Sequence, residues 1–174
     1  MKLYRIAAND IVPEKIGTTP IPSNNIRLYH YTRGNPEDIR REGLKLSHAQ
    51  GETYGEPNMI WASSVAPDTH SKNIVEFSVP VNSDMALEHP RQGEKPEEWM
   101  KGYHHVGFFR DISPAEIIAV HEPWHETYRY ITDKPDMIEK VLSGEFDNLT
   151  EDKYPDEFKA IQAVKAKYRD KGEI

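Results

Sequence analysis

The sequence predicts an α+β protein. It opens on a strand–helix–strand succession, continues through strands that no long helix separates, and ends in a charged helical tail from about residue 134. Thirteen prolines and ten glycines spread over 174 residues favour many short elements over a few long ones. This length suits one core, so residues 1–133 are expected to form the domain and residues 134–174 a helical extension of it.

Each element has a local reason. Lys2 to Ala8 can form a first strand, and IVPEKIGTTPIPSNN, with three prolines and a glycine, reads as an irregular lead-in. LYHYT (Leu28 to Thr32) alternates Leu28, His30 and Thr32 against Tyr29 and Tyr31, which is a strand period. A short helix follows, with Asn35 as N-cap, Pro36 at its first position, Glu37 and Asp38 in its first turn, and Gly43 as terminator. After the polar loop HAQGETYGEP, NMIWASS reads as a buried strand. NIVEFSVPV sets Ile74, Glu76 and Ser78 against Val75, Phe77 and Val79, a half-exposed strand with one apolar face. The stretch from Asn82 to His104 reads as a long connection with a helical turn near Pro96 to Lys101. HVGFFRDI and EIIAV are strands split by Ser113-Pro114, and ETYRYI is a candidate for one more. In the tail, Phe158, Ile161, Val164 and Tyr168 share a helical stripe expected to dock on the body.

Composition excludes several chemistries. The chain has no cysteine, so disulfides, thiolate zinc sites and cysteine nucleophiles are out. No segment reaches signal-peptide or transmembrane length, so a soluble, cytoplasmic protein is expected. A net charge of −7 disfavours non-specific nucleic-acid binding and favours a protein partner. Arg27, Arg33, Arg40, Arg41 and Lys45 cluster around LYHYT, which keeps nucleic acid open. No G-x-S-x-G elbow, phosphate-binding G-x-x-x-x-G-K or G-x-G-x-x-G occurs.

HEPWH (His121 to His125) has the H-E-x-x-H spelling of a zinc protease. That chemistry needs both histidines on one face of a continuous helix. Here EIIAV precedes His121, and Pro123 stands between the histidines. A zinc hydrolase built on His121, Glu122 and His125 is therefore the rival reading. The plain one is a strand end and a proline turn with histidines near the surface. His104 and His105, adjacent on a strand, would face opposite ways and cannot readily share a metal.

The succession YHYT, IRREGLKLS, YGEPNMIWASS and IVEFSVPV resembles the NAD-binding core of the ADP-ribosyltransferase fold, in its diphtheria-toxin and poly(ADP-ribose) polymerase branch. The likeness covers Leu28 to about Val81, and FFRDISPAEIIAV is similar to late strands of such domains. It implies a split antiparallel sheet with short helices, NAD as substrate, no metal, and a toxin-like transferase. On it, His30 would hydrogen-bond a ribose hydroxyl, Tyr31 would stand where a glycine usually holds the nicotinamide amide, and Thr32 would support the strand end. Trp61 would stack on nicotinamide and Ser63 would line its pocket, with Ser64 beside it. The family glutamate belongs on a late strand, but HHVGFFRDI has none. Glu126, at the start of ETYRYI, is the substitute, with Glu76 second. The function implied is transfer of a single ADP-ribose unit to a macromolecule, or NAD hydrolysis. The alternative is a module that keeps the fold without turnover.

Overall fold

The computed structural model describes residues 15–49, 58–66, 71–81, 84–87 and 105–169. The expected strand at Lys2 to Ala8, the glycine loop around Tyr54 to Pro57, and the helical turn at Pro96 to Lys101 lie outside them. The chain divides into two compact units, a sheet unit ending at His121 and a helical unit from Glu122 onward.

The sheet unit carries β1 (Asn25–Thr32), α1 (Pro36–Glu42), β2 (Ile60–Ser63), β3 (Asn73–Pro80), β4 (Met85–Leu87), β5 (His105–Phe108) and β6 (Ile117–His121). Its six strands run in the order β4-β5-β2-β1-β3-β6, and every neighbouring pair is antiparallel. With the helices, this makes the protein α+β. The strand β4 falls inside what the sequence reads as a connection. It is three residues long and pairs with β5, so its period is too short to register.

Local chemistry explains α1. The Asn35 side-chain oxygen accepts the Glu37 and Asp38 amides at 2.9 and 3.2 Å, Pro36 occupies the first turn, and Gly43 ends the helix at φ 79°. Gly43 is required for a second reason. Leu44 exchanges both backbone hydrogen bonds with Ile112 at 2.9 Å, and a Cβ at position 43 would run into the Ile112 carbonyl.

One sheet face packs Ile26, Leu28, Ile60, Ala62, Val75, Phe77, Val79, Val106, Phe108 and Val120 with Ile39, Leu44 and Ile112 into the main core. The other face departs from expectation. β3 is buried on both sides, and Glu76 is 1% exposed instead of solvated. Three groups make this tolerable: the Arg27 guanidinium, the Gly17 amide at 3.2 Å from both carboxylate oxygens, and His121 Nε2 at 2.7 Å. Arg27 also donates to the Thr19 carbonyl, so the lead-in segment lies strapped over this face. Burial alone would raise the Glu76 carboxyl, but the bonds from His121, Gly17 and Arg27 together hold it below the usual carboxylate range.

The helical unit contains α2 (Pro123–Thr132), α3 (Pro135–Leu142) and α4 (Pro155–Arg169). ETYRYI is therefore helix, not strand. Pro123 at the helix start and Tyr128 and Ile131 on one buried side set the helical period that the local β-propensity of the two tyrosines obscures. The α4 stripe of Ile161 and Val164 is buried in a second apolar cluster with Tyr128, Ile131 and Val141, flanked by Tyr168. No helix among the described residues is long and apolar enough to cross a membrane.

Candidate functional site

The sheet is weakest between β1 and β2. These strands share one register pair, Tyr29 opposite Ser63, whereas β1 and β3 share eight. Beyond Tyr29, a side chain takes over from the ladder: His30 Nδ1 lies 2.7 Å from the Trp61 carbonyl oxygen. In a continued antiparallel ladder that carbonyl would receive a β1 amide. Because a carbonyl only accepts, Nδ1 carries the proton and Nε2 is left as the acceptor of the ring. Burial pushes the His30 pKa below the ordinary histidine value, and the bond to Trp61 offsets this only in part, so the ring is neutral near pH 7.

A cavity of about 1270 Å³ lies at this opening, lined by His30, Tyr31, Thr32, Trp61 and Ser63 together. It is larger than the roughly 300–1,000 Å³ of most small-molecule sites. Strand parity places His30 on the core face of the sheet and Tyr31, Trp61 and Ser63 on the other, so the cavity gathers groups from both sides of the splayed pair.

Each group has a defined partner. Tyr31 is 40% exposed, its hydroxyl accepts the Ser71 amide at 3.0 Å, and the Lys72 ammonium lies 5.2 Å from its ring centroid. Thr32 Oγ1 accepts the Gly34 amide at 3.0 Å, turning the chain out of β1. Trp61 stacks obliquely on His105, ring centroids 5.5 Å apart, and packs over Gly107, where a Cβ would crowd both it and Met59. The Trp61 indole N–H is buried and has no hydrogen-bond partner among the described residues. Ser63 Oγ donates to the Val65 carbonyl at 3.0 Å and accepts the Val65 amide at 3.3 Å, so its one proton is committed to a turn.

The charge of the lining is one-sided. Arg33, Lys45 and Lys72 contribute cations, of which Lys45 pairs with Asp111 at 3.5 Å; His48 and His105 add imidazoles, and no aspartate or glutamate is found among the described lining residues. Three of the arginines expected near LYHYT are engaged elsewhere: Arg27 with Glu76, Arg40 with Glu37 and the Val120 carbonyl, Arg41 with Asp38 and Glu42. The roles of Lys72, His48 and His105 at the site escape sequence reading, because they reach it from a turn, a short 3-10 turn and a distant strand.

Neither carboxylate candidate stands on a strand facing this cavity. Glu126 lies in the first turn of α2, which removes the strand position that made it the substitute. Glu76 is on β3 but is held by Arg27, Gly17 and His121. The HEPWH segment divides in the same way. His121 ends β6 with Nε2 on Glu76, while Glu122 caps α2 and its amide donates to His125 Nδ1 at 3.1 Å. The two histidines are 1% and 2% exposed, buried where the plain reading placed them near the surface. No group of three or more metal-ligating side chains occurs among the described residues.

Comparison with known proteins finds no family model, no curated protein and no solved structure that matches this chain.

Proposed function

We propose that the cavity between β1 and β2 binds NAD, and that the protein transfers a single ADP-ribose unit from it to a macromolecule. The observation that carries this reading is the neutral His30, whose Nδ1 is tied to Trp61 and whose Nε2 remains an acceptor for a ribose hydroxyl in a cavity walled by Tyr31 and Trp61. The unpartnered Trp61 N–H adds a donor that an amide carbonyl of the ligand would satisfy. In the reaction the ribose–nicotinamide bond breaks and its electron pair leaves with nicotinamide. The acceptor nucleophile then closes on the ribose carbon and loses its proton to solvent. Stacking on Trp61 and a fixed ribose hydroxyl supply orientation for this step.

Calorimetric titration with NAD and an assay of released nicotinamide test the proposal. Wild type should bind and release nicotinamide, and His30→Ala should bind about tenfold more weakly. Absence of NAD binding by wild type defeats the reading. A second reading, recognition of NAD without turnover, is favoured by the absence of a carboxylate among the described lining residues. Binding without nicotinamide release, with nucleic-acid and protein acceptors both present, selects it.

A further inference from the structure

We propose that the rim of this cavity docks single-stranded nucleic acid. That the docked strand is the ADP-ribose acceptor rests on the NAD reading; the docking itself does not.

The net charge of −7 points towards a protein partner only if charge is spread evenly, and it is not. Arg33, Lys45, Lys72, His48 and His105 line one cavity, and none of its described lining residues is acidic. Low-dielectric walls carrying one sign of charge focus the field and raise the local concentration of an anionic ligand. Arg27, Arg40 and Arg41 are paired with carboxylates away from it, and Lys45 at its rim pairs with Asp111 at 3.5 Å, so Arg33 and Lys72 are the two cations that the test removes.

Charge alone would suit any polyanion, and Tyr31 decides between them. Its ring is 40% exposed, held by the Ser71 amide at its hydroxyl and accompanied by the Lys72 ammonium. Val65, 51% exposed, lines the same cavity. A fixed exposed ring beside cations is a platform for a base with its phosphate alongside. An acidic peptide would pair with the cations and leave the ring without a stacking partner. A duplex is the poorer fit, because the site is concave and duplex grooves are read by a projecting helix or ribbon. The one helix of four residues or more described in the sheet unit, α1, has its arginines Arg40 and Arg41 in ion pairs.

The test is fluorescence anisotropy of the full chain with a labelled oligo-dT of about 15 nucleotides, at low and at physiological salt. Binding should weaken with salt. The double variant Arg33→Ala/Lys72→Ala should lose roughly tenfold and show a shallower salt dependence. Poly-glutamate of matched charge should compete poorly. No binding at low salt, an unaffected double variant, or equal competition by poly-glutamate each overturns the proposal, the last in favour of an acidic protein partner. Calorimetry with NAD on the same samples separates the two inferences. NAD bound without oligonucleotide sinks the docking alone, and oligonucleotide bound without NAD sinks the NAD reading while docking stands.

Discussion

Along its β3 side, β1 is zipped over eight register pairs; along its β2 side it is joined at Tyr29 opposite Ser63 and then by an imidazole. The two seams solve the same problem differently. On the closed side every backbone group has a ladder partner, so a carboxylate can be buried there once Arg27, Gly17 and His121 satisfy it. On the open side a side chain replaces the ladder, and the space gained is the cavity. Pairing is concentrated at one seam and open space at the other, with a single strand between them.

The largest effect should come from breaking the closed seam. Glu76→Ala leaves the Arg27 guanidinium half-buried without its counter-charge, His121 Nε2 buried without its hydrogen-bond partner and the Gly17 amide without its acceptor. A loss of about 3–5 kcal/mol in denaturant unfolding is expected. The pH profile carries the same signature. The folded pKa of Glu76 is depressed, so its contribution is complete above the ordinary carboxylate value of 4.5 and is lost as pH falls through the lower folded value. Wild type should therefore lose stability more steeply than Glu76→Gln as pH falls from the ordinary value of 4.5 towards the lower folded one. A parallel decline in both would show that the Glu76 carboxyl is not held below its ordinary range.

Hydrogen exchange should show the next contrast. β3 is paired on both sides, with β1 and β6, while β2 is fully paired only with β5. Amides of β3 should exchange at least about tenfold more slowly than those of β2. Equal protection would mean that the β1–β2 opening is closed by something other than the ladder, and the comparison would fail.

How much of this is legible in the sequence follows from the range of the interactions. The α1 caps, the strand period of LYHYT and the α+β class depend on neighbours within a few residues, and they can be read directly. His30, Tyr31, Thr32, Trp61 and Ser63, which the resemblance singles out, line one cavity together with other residues of β1 and β2. Alternation cannot tell a solvated face from one covered by a strap, so the sequence pattern alone leaves Glu76 on the solvated side. Arg27, four residues before Tyr31, becomes its partner only through the β1–β3 register, which sets Arg27 beside Glu76 across a separation of 49 residues. ETYRYI reads as a strand because aromatic residues raise strand propensity, while Pro123 and the burial of Tyr128 and Ile131 decide for helix. The failures share one cause: the deciding contact comes from another element.

A smaller effect belongs to the open seam. The His30 pKa is lowered by burial, so the folded chain resists protonation that the unfolded chain accepts. Stability from this group is complete above the unfolded value of 6.5 and is lost as pH falls below it towards the folded one. Wild type should lose stability on acidification below the unfolded value of 6.5 relative to His30→Gln, whose amide can still donate to the Trp61 carbonyl but does not titrate. Thermal melts across this range measure it, and superimposable curves would mean that His30 is as readily protonated folded as unfolded.

The smallest expected effect tests whether the lone register pair is itself a hinge of the opening. Ser63 Oγ closes a turn with both backbone groups of Val65, and Ser63 is the β2 residue that pairs with Tyr29. Ser63→Ala removes those two solvent-exposed bonds at a half-buried residue, so water replaces them and the cost to stability should be about 0.5 kcal/mol or less. If Ser63 only ends the strand, NAD affinity will not change either, because its hydroxyl proton is already committed to Val65. A drop in affinity larger than the stability loss would instead show that this turn sets the width of the cavity. The open seam would then be held by two side chains, His30 at one point and Ser63 at the other, with no ladder between them.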